Sequence, residues 1–251
     1  MMTGCDDVFV EIKAVSRARD AIHFAMLMPY PSRIISPPGL GKSTALRHLA
    51  KEFDGIYLEI GATDKDVGGM YLSLLAALGA FYFGNSKRGA LESLALALGS
   101  AARHVGGNKK LVMVDEFQTL EDTAKRELLR IQEEFGIALV LSGNPERLAD
   151  GRRGPSRAIR QVEDRIGLNV ELPVLDDQDC DLIASAYGVS GDDAMSAARA
   201  LGGKTNAREL CRALQYARLT IPEGASVRLA HIKNAVMSLK GKTSAVGLLK
   251  S

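Results

Sequence analysis

The stretch Ser36-Pro37-Pro38-Gly39-Leu40-Gly41-Lys42-Ser43-Thr44 follows a short apolar run at 33–36 and opens a helical pattern, and its reading decides the fold. A glycine-bearing turn between a strand and a helix aims backbone N–H groups and the positive helix end at an anion. Gly39 and Gly41 let the backbone approach a phosphate closely, with Pro38, Leu40 and Thr44 completing the cradle. Lys42 supplies a point charge, and the Ser43 hydroxyl suits Mg2+. The pattern ordinarily begins with glycine, a position held here by Ser36. A chance match is the competing reading, and the strand-loop-helix context argues against it.

Outward from this loop, five β-like runs at 33–36, 56–60, 111–114, 138–142 and 168–172 alternate with helical stretches. Runs such as LVMV and IALVL are apolar on consecutive residues, as expected of parallel strands covered by helices on both faces. After Pro173 the periodicity becomes helical throughout, over 176–187, 192–201, 206–219 and 226–239, with Asp176 and Asp177 at a helix start. The expected organisation is an α/β core with a short N-terminal helical segment over 1–173, a helical domain over 174–240 and a flexible tail over 241–251.

The second chemical element is the run Leu111-Val-Met-Val-Asp115-Glu116, an apolar strand ending in two acids. Position predicts that Asp115 holds Mg2+ and Glu116 polarises the attacking water as general base. A solvated strand end is the plain alternative, weakened by a phosphate loop about seventy residues upstream. The third element is Ser142-Gly143-Asn144, where an amide at a strand tip suits the orientation of water; a simple turn explains the same letters.

Composition excludes other classes. Apolar residues make up 46% and charged residues 25% of the 251, ordinary for a globular chain. No apolar run has the length of a membrane span and the first residues do not read as a signal peptide, so a cytoplasmic location without a membrane partner is expected. Cys5, Cys180 and Cys211 fit no metal-ligand spacing. A net charge of +2 leaves a polyanionic partner to local clusters.

In the order of phosphate loop, VDE strand, strand-tip asparagine, arginine-bearing segment and helical domain, the chain resembles AAA+ P-loop ATPases. Within them VDEFQTL, LVLSGNPERL, EDRIGLNVELP and KTNARELCRAL are similar to the transposition target-selection group, the phage Mu B protein and the TnsC/TniB proteins. The resemblance implies a five-stranded parallel sheet with a small C-terminal helical lid, and ATP with Mg2+ as cofactors. It implies Asn144 as the polar sensor and Arg165 as the arginine reaching a neighbouring subunit's nucleotide, so that hydrolysis depends on assembly; Arg157 and Arg160 rival Arg165, and a surface salt bridge is the alternative for it. Arg208 matches the lid's sensor arginine, although a helix-start arginine also suits a solvated face. Val8, Phe9 and Val10 lie where the family packs adenine.

The resemblance further implies a homo-oligomer, ring or helical filament, on duplex DNA, directing a transposase. Backbone contacts need only repeated cations, and the candidates are Lys87 and Arg88, then Lys65, with Arg103, Lys109 and Lys110 behind them; a solvated basic loop is the alternative. Phe81-Tyr82-Phe83 suits base stacking, yet aromatics after an apolar helix are expected in the core. With only about thirty residues before the phosphate loop, no DNA-reading helix-turn-helix is expected, which leaves shape and charge as the binding mode. The other functional class is an AAA+ module acting on a protein partner, as a loader, secretion-linked or signalling ATPase.

Overall fold

The computed structural model describes residues 8–84, 86–102, 109–144, 162–241 and 247–249. Helix α1 (Lys13–Leu27) leads to β1 (Ser32–Ile35), and α2 (Lys42–Glu52) leaves the phosphate loop. Then come β2 (Ile56–Glu59), α3 (Val67–Ala77), α4 (Lys87–Ala102), β3 (Leu111–Asp115), α5 (Asp122–Phe135), β4 (Ala138–Gly143) and β5 (Leu168–Glu171). The five strands form one parallel sheet in the order β2-β3-β4-β1-β5. Each expected run is a strand to within two residues.

Strands β3 and β4 are buried along their whole length, which accounts for their uninterrupted apolar letters. Val112, Val114, Leu139 and Leu141 pack with Met70 and Leu74 of α3, Leu94 and Leu98 of α4, and Leu128 and Ile131 of α5. By strand alternation Met113 and Val140 point to the opposite face. Helix α5 stops where Gly136 takes φ 62, a left-handed C-terminal cap.

The C-terminal helices are α6 (Asp177–Ala186), α7 (Asp192–Lys204), α8 (Ala207–Leu219) and α9 (Leu229–Lys240). The Asp176 carboxylate accepts from the Asp179 N–H at 2.9 Å and caps α6; the Asn206 amide oxygen does the same for Glu209 N–H at 3.1 Å and caps α8. Val189 and Val227 form an isolated parallel bridge beside these helices.

Contacts divide the chain into two compact units, one of Arg17–Pro37 with Lys42–Leu172, the other of Met1–Ser16, Pro38–Gly41 and Pro173–Ser251. The division differs from the expected 1–173 core in giving the first residues and the loop tip to the helical unit. The reasons are local. The Lys13 N–H donates to Asp179 Oδ1 at 2.9 Å, its ammonium pairs with Asp176, and the Gly39 carbonyl accepts from the Arg208 N–H at 3.0 Å. Most of the tail lies outside the described residues.

Leu139 is fully buried on β4 and Leu96 of α4 is 74% exposed. Urea denaturation is expected to show Leu139→Ala destabilising by about 2–5 kcal/mol, and Leu96→Ala staying within about 0.5 kcal/mol.

Candidate functional site

Parallel strands present all their carboxyl ends at one sheet edge, where ligands of open α/β sheets bind. The loop after β1 and the tips of β3 and β4 meet there. Gly39 and Gly41 have φ values of +90 and +88, which side chains rarely tolerate. A Cβ on Gly39 would also stand 2.7 Å from Asn206 Cγ, so two constraints demand glycine there. Ser36 is absent from the described non-glycine residues with positive φ, so serine satisfies the position where glycine was expected. The Lys42 ammonium, largely buried, donates to the Ser36 carbonyl at 3.2 Å.

Asp115 is fully buried at the β3 tip. Its Oδ2 accepts from Ser43 Oγ at 2.5 Å and from the Tyr57 hydroxyl at 3.0 Å. Its Oδ1 accepts from Ser142 Oγ at 2.7 Å and from the Glu116 N–H at 3.0 Å. Burial first, then the Asp115 charge and hydrogen bond, raise the Tyr57 phenol well above its ordinary range and keep it a donor. The guanidinium of Arg47 lies 5.1 Å over the Tyr57 ring and bonds Glu59 at 2.7 Å. One hydroxyl and one carboxylate are hard oxygen donors of the kind Mg2+ takes when phosphates supply further ligands, so the residues fit that ion.

Glu116, next in the chain, takes φ 55 and ψ 33, a left-handed conformation costing a non-glycine residue about 1–3 kcal/mol. Its carboxylate accepts from Gln118 Nε2 at 2.5 Å. Gln118 Oε1 in turn accepts the Asn144 N–H at 3.3 Å beyond the β4 tip.

The AAA domain family profile matches residues 32–150. The Mu-like prophage FluMu DNA transposition protein B of Haemophilus influenzae is 25% identical over 187 residues, covering 74% of this chain and 63% of that protein. The ATP-dependent target DNA activator B of Escherichia phage Mu is 27% identical over 216 residues, covering 84% of this chain and 67% of that protein. Among solved structures the Aeropyrum pernix ORC2 protein shares the fold at TM-score 0.62 and 18% identity, over 93% of this chain and 71% of that one. The Thermotoga maritima RuvB Holliday junction branch migration motor does so at TM-score 0.53 and 16% identity, over 92% of this chain and 70% of that one. This is an AAA+ chain, and its curated relatives are phage transposition B proteins. It spans about two thirds of their length.

The remaining expected residues of this AAA+ site fall in three places. Asn144 stands beside Gln118. Arg208 follows the α8 cap with its side chain exposed, and its N–H bonds Gly39. Arg165 is held elsewhere, its guanidinium 3.3 Å from Glu133 of α5 in an exposed pair. The segment bearing it is anchored by Arg33, which is buried on β1 and bonds both carboxylate oxygens of Glu163 at 2.5 and 2.7 Å and Asn169 of β5 at 2.8 Å. Val8 lines a cavity of about 400 Å3 with Tyr187 and Arg218 in the helical unit. Arg103, Arg157 and Arg160 lie outside the described residues.

Of the cations considered for DNA, Lys87 pairs with Asp66 at 3.2 Å, Arg88 with Glu92 at 3.1 Å and Lys65 with Glu121 at 3.7 Å, all exposed. Lys109 and Lys110 serve the fold instead. Lys109 donates to the Ala25 carbonyl at 3.3 Å and to that of Met28, near the end of α1, and Lys110 to that of Asp54 at 3.2 Å. One expectation is overturned: Phe81 and Phe83 are 77% and 97% exposed rather than in the core. Helix α3 ends at the Leu78 cap and Gly79 takes φ 69, turning the chain outward before the aromatics.

Sequence reasoning passed over Tyr57, Ser142, Gln118 and Asn206, since nothing in their spacing marks them; only the Q of VDEFQTL, two residues past the acid, was a signal. Gln118→Ala removes the donor on Glu116 and frees the carboxylate to rotate. The expected result is ATP turnover lower by about 10- to 100-fold, with the dissociation constant of a fluorescent ATP analogue essentially unchanged.

Proposed function

We propose that the protein is an ATP-dependent, sequence-independent DNA-binding ATPase that oligomerises on target duplex DNA and directs a transposase. One conjunction supports the reading: phosphate-loop Ser43 bonds the buried Asp115, in a chain related to a protein named ATP-dependent target DNA activator B. Backbone N–H groups of the loop and the Lys42 ammonium receive the β- and γ-phosphates. Ser43 and Asp115 hold Mg2+, which when bound neutralises charge developing on the phosphoryl oxygens. Glu116 takes up the proton of the attacking water, Gln118 fixes the free oxygen of that carboxylate, and Asn144 orients the water from the adjacent strand tip.

Arg165 serves the nucleotide of a neighbouring subunit. Its exposed pair with Glu133 belongs to a class worth about 0–1 kcal/mol, so exchange for a phosphate carries little cost. An arginine supplied in trans makes hydrolysis depend on assembly. Arg208 couples the helical unit to the phosphate loop through the Gly39 contact. ATP favours the assembled state and hydrolysis releases it. Lys87, Arg88 and Lys65 contact DNA phosphates, and each is paired only to an exposed carboxylate that a phosphate can replace.

Lys42→Ala is expected to abolish nucleotide binding, and Glu116→Gln to retain it while phosphate release falls by about 100-fold or more. Electron microscopy of wild type with ATP and duplex DNA should show rings or filaments; monomers alone would sink the proposal. The double substitution Lys87→Glu/Arg88→Glu should weaken duplex binding and flatten its dependence on log salt by about one unit per lost phosphate contact. Unchanged binding and slope would favour a protein partner.

A further inference from the structure

Between α3 and α4 the sequence Phe81-Tyr82-Phe83 divides its aromatics by role. Tyr82 is half-buried, and its hydroxyl accepts the Ser86 N–H at 3.2 Å and lies 3.1 Å from Ser86 Oγ. Ser86 Oγ accepts the Gly89 N–H at 3.0 Å at the start of α4. These bonds fix the turn without the phenylalanines. Phe81 and Phe83 project into solvent, their rings 17° from parallel with centroids 6.3 Å apart. Each exposed phenyl forgoes about 1.5–3 kcal/mol that burial would supply, so the chain alone gives no reason for two of them together.

What lies beside the rings selects the occupant. Lys87 and Arg88 open α4, with side chains 64% and 89% exposed. Their partners Asp66 and Glu92 are exposed as well, so both cations exchange readily for phosphate. The positive end of the sixteen-residue α4 is at the same place. Apolar rings bordered by exchangeable cations suit a duplex, in which the space between base steps is apolar and its margins are anionic.

We propose that Phe81 and Phe83 form an aromatic wedge that enters duplex DNA between base steps while Lys87 and Arg88 hold the flanking phosphates. The proposal rests on the DNA-binding reading and specifies its mode, adding a component that salt does not screen. Binding then unstacks bases locally, and the duplex accepts the protein most readily at easily deformed steps.

The test uses the full chain with ATP, Mg2+ and a mixed-sequence duplex carrying 2-aminopurine, whose emission rises when it unstacks. Anisotropy reports binding in parallel. Wild type should bind and raise the emission several-fold. Phe81→Ala/Phe83→Ala should keep its melting temperature, lose the emission rise and bind at least about tenfold more weakly with an unchanged salt slope. Lys87→Glu/Arg88→Glu should change the slope. Tight wild-type binding with flat emission overturns the wedge and leaves the DNA reading standing. So does a double alanine variant that binds and unstacks like wild type. Loss of ATP-dependent self-association by that variant in sedimentation without DNA would assign the rings to a second copy of the chain and overturn the wedge. Absence of any wild-type duplex binding overturns both readings.

Discussion

An ionised carboxylate withdrawn fully from water persists only where donors replace its hydration. Asp115 is in that position, and the rest of the site is arranged by what it requires. Its four donors come from the start of α2, from β2, from β4 and from the peptide that follows it. The phosphate loop is therefore tied to a strand that is not its neighbour in the sheet. The strand register is tied as well: Glu59 lies opposite Asp115 and Leu141 opposite Val114. A slip of one residue would send Tyr57 and Ser142 to the other face of the sheet and leave the carboxylate without two donors. Removing one partner of such a buried charge costs roughly 1–3 kcal/mol or more, so the polar cluster helps to select a single register among strands whose apolar letters are nearly interchangeable.

Those same letters explain what the sequence made legible. Consecutive apolar residues covered on both faces mark parallel strands whatever their partners, and Gly39 and Gly41 mark a turn that other residues rarely adopt. Fold, phosphate loop and the two acids were readable because each depends on local constraints. Tyr57, Ser142, Gln118 and Arg33 were not, because their significance lies in cross-strand partners fixed by register. Arg33 sits in a strand of apolar neighbours, and only Glu163 and Asn169, far along the chain, make its burial tolerable. Phe81 and Phe83 misled for a related reason. The helical apolar pattern runs up to them, but the break at Leu78 and Gly79 changes the direction of the chain before they are reached.

The two adjacent acids differ in freedom more than in chemistry. Asp115 is locked by four donors, as suits a ligand that must present a fixed oxygen to a metal. Glu116 is half-buried, sits in a strained backbone conformation and shares its side chain with Gln118. A group that must take a proton from water benefits from one exchangeable hydrogen bond rather than four fixed ones. Gln118 is also confined from the other side. A Cβ on Gly143 would stand 2.6 Å from Gln118 Oε1, so the β4 tip approaches the amide as closely as backbone can. Displacement of that tip by a ligand at Asn144 must then shift Gln118, and with it the carboxylate that Gln118 holds. The glycine before Asn144 is what makes the strand tip and Glu116 respond together.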